Sequence, residues 1–148
     1  MGRYVAGATT LDVRLRLLVQ QLAAELAGCH WCVEQGHHRW RQAFLPVDEL
    51  RALSRYATSP LFGARERAAL AFAEALAGYS DAAGGVSGAV LAELRRHFSE
   101  PEVAALTVAA TAEHAFNAAT GALGADAWVG VALGAARRAS GSAMRNLW

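Results

Sequence analysis

The chain has no lysine, only two cysteines and no long apolar run, and each shortage closes off a class of function. All 14 basic residues are arginine, scattered among 13 acidic ones for a net charge of +1, so no basic track exists that could neutralise a row of phosphates. Nucleic acid is not an expected partner. The mildly apolar stretch Ala127 to Ala136 is broken by glycines and falls far short of the about 20 apolar residues that a bilayer crossing needs. Met1 to Thr10 lacks the continuous apolar core of a secretion signal. A cytoplasmic protein without a membrane anchor is the expectation. Strand signals are missing as well, because nowhere do β-branched residues alternate with polar ones.

What remains is helical period, and the expected fold class is all-α. At 148 residues and 54% hydrophobic, the chain is one domain's worth, with a core over about 11–124 and a glycine-interrupted tail or arm over 125–148 that carries Trp128 and Trp148. Leu11, Leu15, Leu18, Leu22 and Leu26 mark a first helix, with Thr10 as N-cap and Gly28 just past its end. A second helix opens at Cys29 and runs to about Phe44, closed by Pro46; a third runs from about Asp48 to Tyr56. Gly63 to Gly78 reads as a helix, the loop around Ser80 to Gly85 follows, and Ser87 caps a short helix to His97. Ser99-Glu100-Pro101-Glu102 is a capping box opening the longest helix, which runs to Gly124 through Val103, Leu106 and Ala110.

The two cysteines form a C-x-x-C in Gly28-Cys29-His30-Trp31-Cys32-Val33. A stapling disulfide gains most from closing a long loop, and this loop is as short as such loops get, so a redox pair is the leading reading. At i and i+3 in a helix's first turn the two residues face the same way at about 5 to 6 Å, inside the Cα separation a disulfide accepts. The helix N-terminus presents unpaired N–H groups and partial positive charge, which favour thiolate. No strand precedes the motif and no proline separates the cysteines, which excludes a thioredoxin-type site. Val33 in place of histidine excludes haem attachment.

These features together resemble the alkylhydroperoxidase D and carboxymuconolactone decarboxylase superfamily. The resemblance rests on a helix ending in Gly28 before Cys29 and Cys32, on Tyr56-Ala57-Thr58-Ser59 followed by Phe62-Gly63-Ala64-Arg65-Glu66-Arg67, and on Phe98-Ser99-Glu100-Pro101-Glu102-Val103. It implies a compact antiparallel helical bundle and a homo-oligomer, a trimer or a multiple of one. It also implies reduction of a small hydroperoxide through the cysteine pair, recharged by a dithiol electron donor. By the same resemblance Cys32 attacks peroxide and Cys29 resolves it. Active family members carry a proton relay of a glutamate and a histidine, and those positions are Leu17 and Gly36 here; a further histidine is replaced by Trp31.

Substitutes for that relay follow from helical geometry. Glu25, one turn before Cys29 and at the edge of the leucine stripe, is the best placed, although a carboxylate turned to solvent or paired with an arginine accounts for it equally well. His114 and Asn117 continue the stripe of the long helix and should face the interior, where a histidine satisfied by a backbone carbonyl outweighs a catalytic one. His37 points about 140° away from Cys32 and, with His38, is expected on an exposed face. His30, between the cysteines, either tunes their electrostatics or faces solvent; Glu34 reads as a first-turn surface carboxylate, His97 as a helix C-terminal partner of the dipole, and Trp31 and Trp40 as core or interface aromatics. Cys29, Cys32, His37 and His38 would splay around one helix rather than converge on zinc, so no metal is assigned. No residue pattern points to an organic cofactor.

Overall fold

A computed structural model describes residues 11–78 and 85–124, and among these every regular element is helical. Six α-helices follow in order: α1 (Val13–Leu26), α2 (His30–Gln42), α3 (Val47–Ala52), α4 (Ala64–Ala77), α5 (Gly88–His97) and α6 (Glu100–Leu123), with a 3-10 turn at Leu53–Arg55. Thr10, most of the loop after Tyr79, and the tail with Trp128 and Trp148 lie outside the described residues.

Helix α1 is the centre of the bundle and packs against α2, α4 and α6. Leu11, Leu15 and Val19 enter a cluster with Phe72 of α4, Leu94 of α5 and Leu106 of α6. Leu17, Leu18 and Leu22 enter a second cluster with Trp40, Leu53, Phe62 and Leu70. The single leucine stripe expected for this helix is therefore too narrow. Leu17, Gln21, Ala23 and Ala24 are buried as well, while Leu26 at the end of the stripe is 46% exposed. A helix clamped on several sides must be apolar most of the way round.

Capping residues set the helix ends. Asp12, not Thr10, is the N-cap of α1, because its Oδ1 accepts the Leu15 N–H at 2.8 Å. Helix α4 starts at Gly63, whose N–H donates to Glu66 Oε2 at 2.8 Å, and Ser87 caps α5 by accepting from Val90 N. Ser99 and Glu102 form the capping box of α6, with the Ser99 N–H donating to Glu102 Oε2 at 2.8 Å. Helix α2 ends two residues before the expected Phe44: the Leu45 N–H reaches back to Trp40 O, and Phe44 adopts a positive φ of 55° in the place usually taken by glycine. The expected third helix divides, its second half tightening into the 3-10 turn.

Two arginines tie the helices together. Arg14 of α1 donates to Glu49 of α3 at 2.8 Å and to Glu66 of α4 at 3.0 Å. Arg65 of α4 bonds the His97 carbonyl and Glu102 Oε1, and its guanidinium lies 4.1 Å from the Phe98 ring centre, fastening the junction of α5 and α6.

Candidate active site

The turn joining α1 to α2 is a Schellman motif. Gly28 takes φ +65°, its N–H donates to Glu25 O, and the Cys29 N–H donates to Ala24 O. The left-handed residue ends one helix and lets Cys29 serve as the N-cap of the next. Cys29 Sγ accepts the Cys32 N–H at 3.3 Å, the bond an N-cap oxygen would ordinarily take. The sulfur therefore stands among the unpaired N–H groups of α2, where negative charge is favoured.

Cys29 and Cys32 are joined by a disulfide across a Cα separation of 5.2 Å. Cys32 is 1% exposed, while Cys29 is partly open to solvent. Along α2 only Cys32, Gly36 and Trp40 are buried, a seam at steps of four that faces α1. Trp40 is wholly enclosed and its Nε1–H donates to Pro46 O at 3.0 Å.

The seam exposes a residue the sequence reading passed over. Gln21 of α1 is 2% exposed, its Oε1 has no hydrogen-bond partner among the described residues, and its Nε2–H donates to Glu25 Oε1 at 3.1 Å. A Cβ built on Gly36 would lie 1.8 Å from Gln21 Oε1, so the amide occupies the space where a side chain at position 36 would begin. Leu17, one turn earlier on α1, sits in the apolar cluster with Trp40. The signal in the sequence was the spacing Leu17, Gln21, Glu25, which repeats every four residues.

Glu25 is half-buried and lines a cleft of about 410 Å³ with Val33, His37, Arg41, Leu50 and Arg51. His37 is thus half-buried rather than on a free face, lining the cleft between α2 and α3. His30, Glu34 and His38 are exposed. His97 ends α5, with its Nε2 3.1 Å from Glu93 Oε1.

On α6 the buried face runs through Leu106, Ala110, Glu113 and Asn117, which leaves His114 half-buried beside it. His114 Nε2 has no hydrogen-bond partner among the described residues, so the backbone carbonyl expected for it is not found there, and no bond joins it to either cysteine. Asn117 Nδ2–H donates to Ala23 O at 3.4 Å, linking α6 to α1. Trp31 packs on Phe116, with ring centres 5.6 Å apart. Among the described residues no three histidine, cysteine or acidic side chains are grouped to hold a metal.

Comparison with known proteins agrees with this architecture. A protein of unknown function from Agrobacterium tumefaciens, suggested to be the antioxidant defence protein AhpD, superposes with a TM-score of 0.73 at 27% identity, covering 80% of each chain. The apo debrominase Bmp8 shares the fold with a TM-score of 0.71 at 23% identity, over 80% of this chain and 62% of that one. No curated protein matches the sequence. The profile of the carboxymuconolactone decarboxylase family matches residues 1–75, which is half of the chain, and the chain belongs to that family.

Proposed function

We propose that the protein is a thiol-dependent oxidoreductase that reduces hydroperoxides through Cys29 and Cys32. The observation that carries this reading is the cysteine pair itself, closed across the first turn of α2 with one sulfur in the N-cap position. The antioxidant role suggested for the Agrobacterium protein is of the same kind. In the reduced state the Cys32 thiolate attacks the peroxide, breaking the O–O bond, releasing an alcohol and leaving a sulfenic acid. The Cys29 thiol then displaces water from that sulfenic acid to form the disulfide. A dithiol donor, itself oxidised to a disulfide, returns both thiols. Glu25, held by Gln21 one turn before Cys29, takes the thiol proton. No step is assigned to His114.

Assembly into a trimer or a multiple of one belongs to the same proposal, and the exposed Val13, Leu26, Phe44 and Leu123 supply apolar surface for it. A second reading, dithiol–disulfide exchange without peroxide turnover, is favoured by one feature: Leu17 and Gly36 carry no ionisable group. The deciding experiment adds hydrogen peroxide or an organic hydroperoxide to the reduced protein and follows thiols and peroxide against Cys32→Ser. Loss of two thiols in step with peroxide is the expected result; thiols that outlast excess peroxide would leave only the second reading.

A further inference from the structure

A second cleft, of about 390 Å³, opens on the other flank of α2, because positions 31, 35 and 39 lie about 200° around the helix from 33, 37 and 41. Helix α2 gives it Trp31, Gln35 and Arg39; α6 gives it Ala112, Glu113 and Phe116. Its volume falls within the range of small-molecule sites, about 300–1,000 Å³.

The chemistry of the lining is uneven in a way that selects a ligand. Trp31 and Phe116, with planes 31° apart, form a broad aromatic wall. Among the described residues Arg39 is the one cation in the lining, with its side chain 40% exposed, and its buried Nε has no hydrogen-bond partner. Its one ion pair, to Glu113, is 3.7 Å long, beyond hydrogen-bond distance. Glu113 is 5% exposed, and burial pushes its carboxyl above the usual range despite the neighbouring arginine. The long pair leaves part of the guanidinium uncovered, and both residues line the cleft. A carboxylate matches a guanidinium fork with two parallel bonds. With one cation and one buried carboxyl among rings and amides, the lining suits a singly charged anion better than a phosphate dianion. A flat wall favours a flat ligand.

We propose that this cleft binds a planar organic monocarboxylate, with its carboxylate on Arg39 and its ring against Trp31 and Phe116. The proposal does not rest on the thiol chemistry and is tested by binding alone.

The test titrates the full-length protein with 2-naphthoate by calorimetry, beside 2-naphthamide, which keeps the shape without the charge, and acetate, which keeps the charge without the ring. Saturable binding of 2-naphthoate is expected, with both comparators at least about tenfold weaker. Arg39→Gln should weaken 2-naphthoate by at least about tenfold. Because that variant leaves the buried Glu113 without its partner, Ala112→Phe is the second probe. Ala112 is exposed on α6 and lines the cleft, so the larger side chain fills the space without disturbing the core, and binding should be lost. Absence of saturable binding, equal affinity for the amide, or an unchanged affinity in Ala112→Phe would overturn the proposal.

Discussion

Gln21 Oε1 lies so close over Gly36 that a Cβ on the glycine would stand 1.8 Å from it. The seam between α1 and α2 thus accommodates the glutamine because position 36 has no side chain. Gly36→Ala should push the amide aside rather than the backbone, since the atoms it meets are the far end of a flexible side chain. The lost hydrogen bond to Glu25 costs about 1 kcal/mol, and alanine in a helix interior returns about 1 kcal/mol. Urea unfolding should place the variant within about 1 kcal/mol of the parent. A loss beyond about 3 kcal/mol would mean that the amide has nowhere to go.

Leu17→Glu, which would put a carboxylate where the resemblance places the relay, should not be tolerated. Leu17 is 7% exposed among Leu18, Leu22 and Trp40, so an acid there is buried without a partner. A loss of about 3 kcal/mol or more is expected in chemical denaturation. Parent-like stability would show that the new side chain escapes the core.

Glu25→Gln should slow oxidation of the reduced thiols by about a hundredfold, within the range for losing a general base. Stopped-flow decay of free thiol from pH 6 to 8 reads this directly. If the rate and its pH profile match the parent, Glu25 is not the proton acceptor.

Glu102 should make the start of α6 acid-sensitive. Hydrogen bonds from the Ser99 backbone N–H, then Arg65, hold its carboxyl down to about 2 from an ordinary 4.5. A lowered folded value stabilises the protein above the unfolded value and loses that contribution as pH falls through the folded one. Glu102→Gln should be about 1 kcal/mol less stable at pH 7, with the gap closing between pH 4.5 and 2. An equal gap at both ends of that window would contradict the assignment.

Glu113 should act in the opposite sense. Burial raises its carboxyl from the ordinary 4.5, so its neutral form suits the fold, and stability drains away as pH rises through the folded value. Relative to the parent, Glu113→Gln should gain stability as pH rises from 4 to 8. Denaturant midpoints at the two pH values measure the difference, and a gain that shrinks on raising the pH would show that the charged carboxylate suits the fold.

The helix ends were legible because single residues make them. Gly28, Gly63, Ser87 and the Ser99–Glu102 box each leave a local signature that packing did not override. Cys29 and Cys32 could be placed at a helix start for the same reason. The width of a buried face is a tertiary property, and there the leucine pattern misled. Ala23, Ala24 and Gln21 are buried by three neighbouring helices, and no periodicity of large apolar residues reports that. On α6 a step of four from Ala110 points to His114, but the buried row takes the step of three to Glu113. A drift of one residue moved a carboxylate rather than an imidazole into the interior.

The central place of α1 also sets an order of events during synthesis. Its partners α2 and α4 follow within a short stretch of chain, but α6 does not: the bond from Asn117 to Ala23 spans 94 residues. Until α6 has left the ribosome, the face of α1 carrying Leu15 and Val19 lacks part of its cover. The nascent chain must therefore keep an unfinished apolar helix in solution while most of the described fold is being made, and closure of the bundle is a late, long-range step.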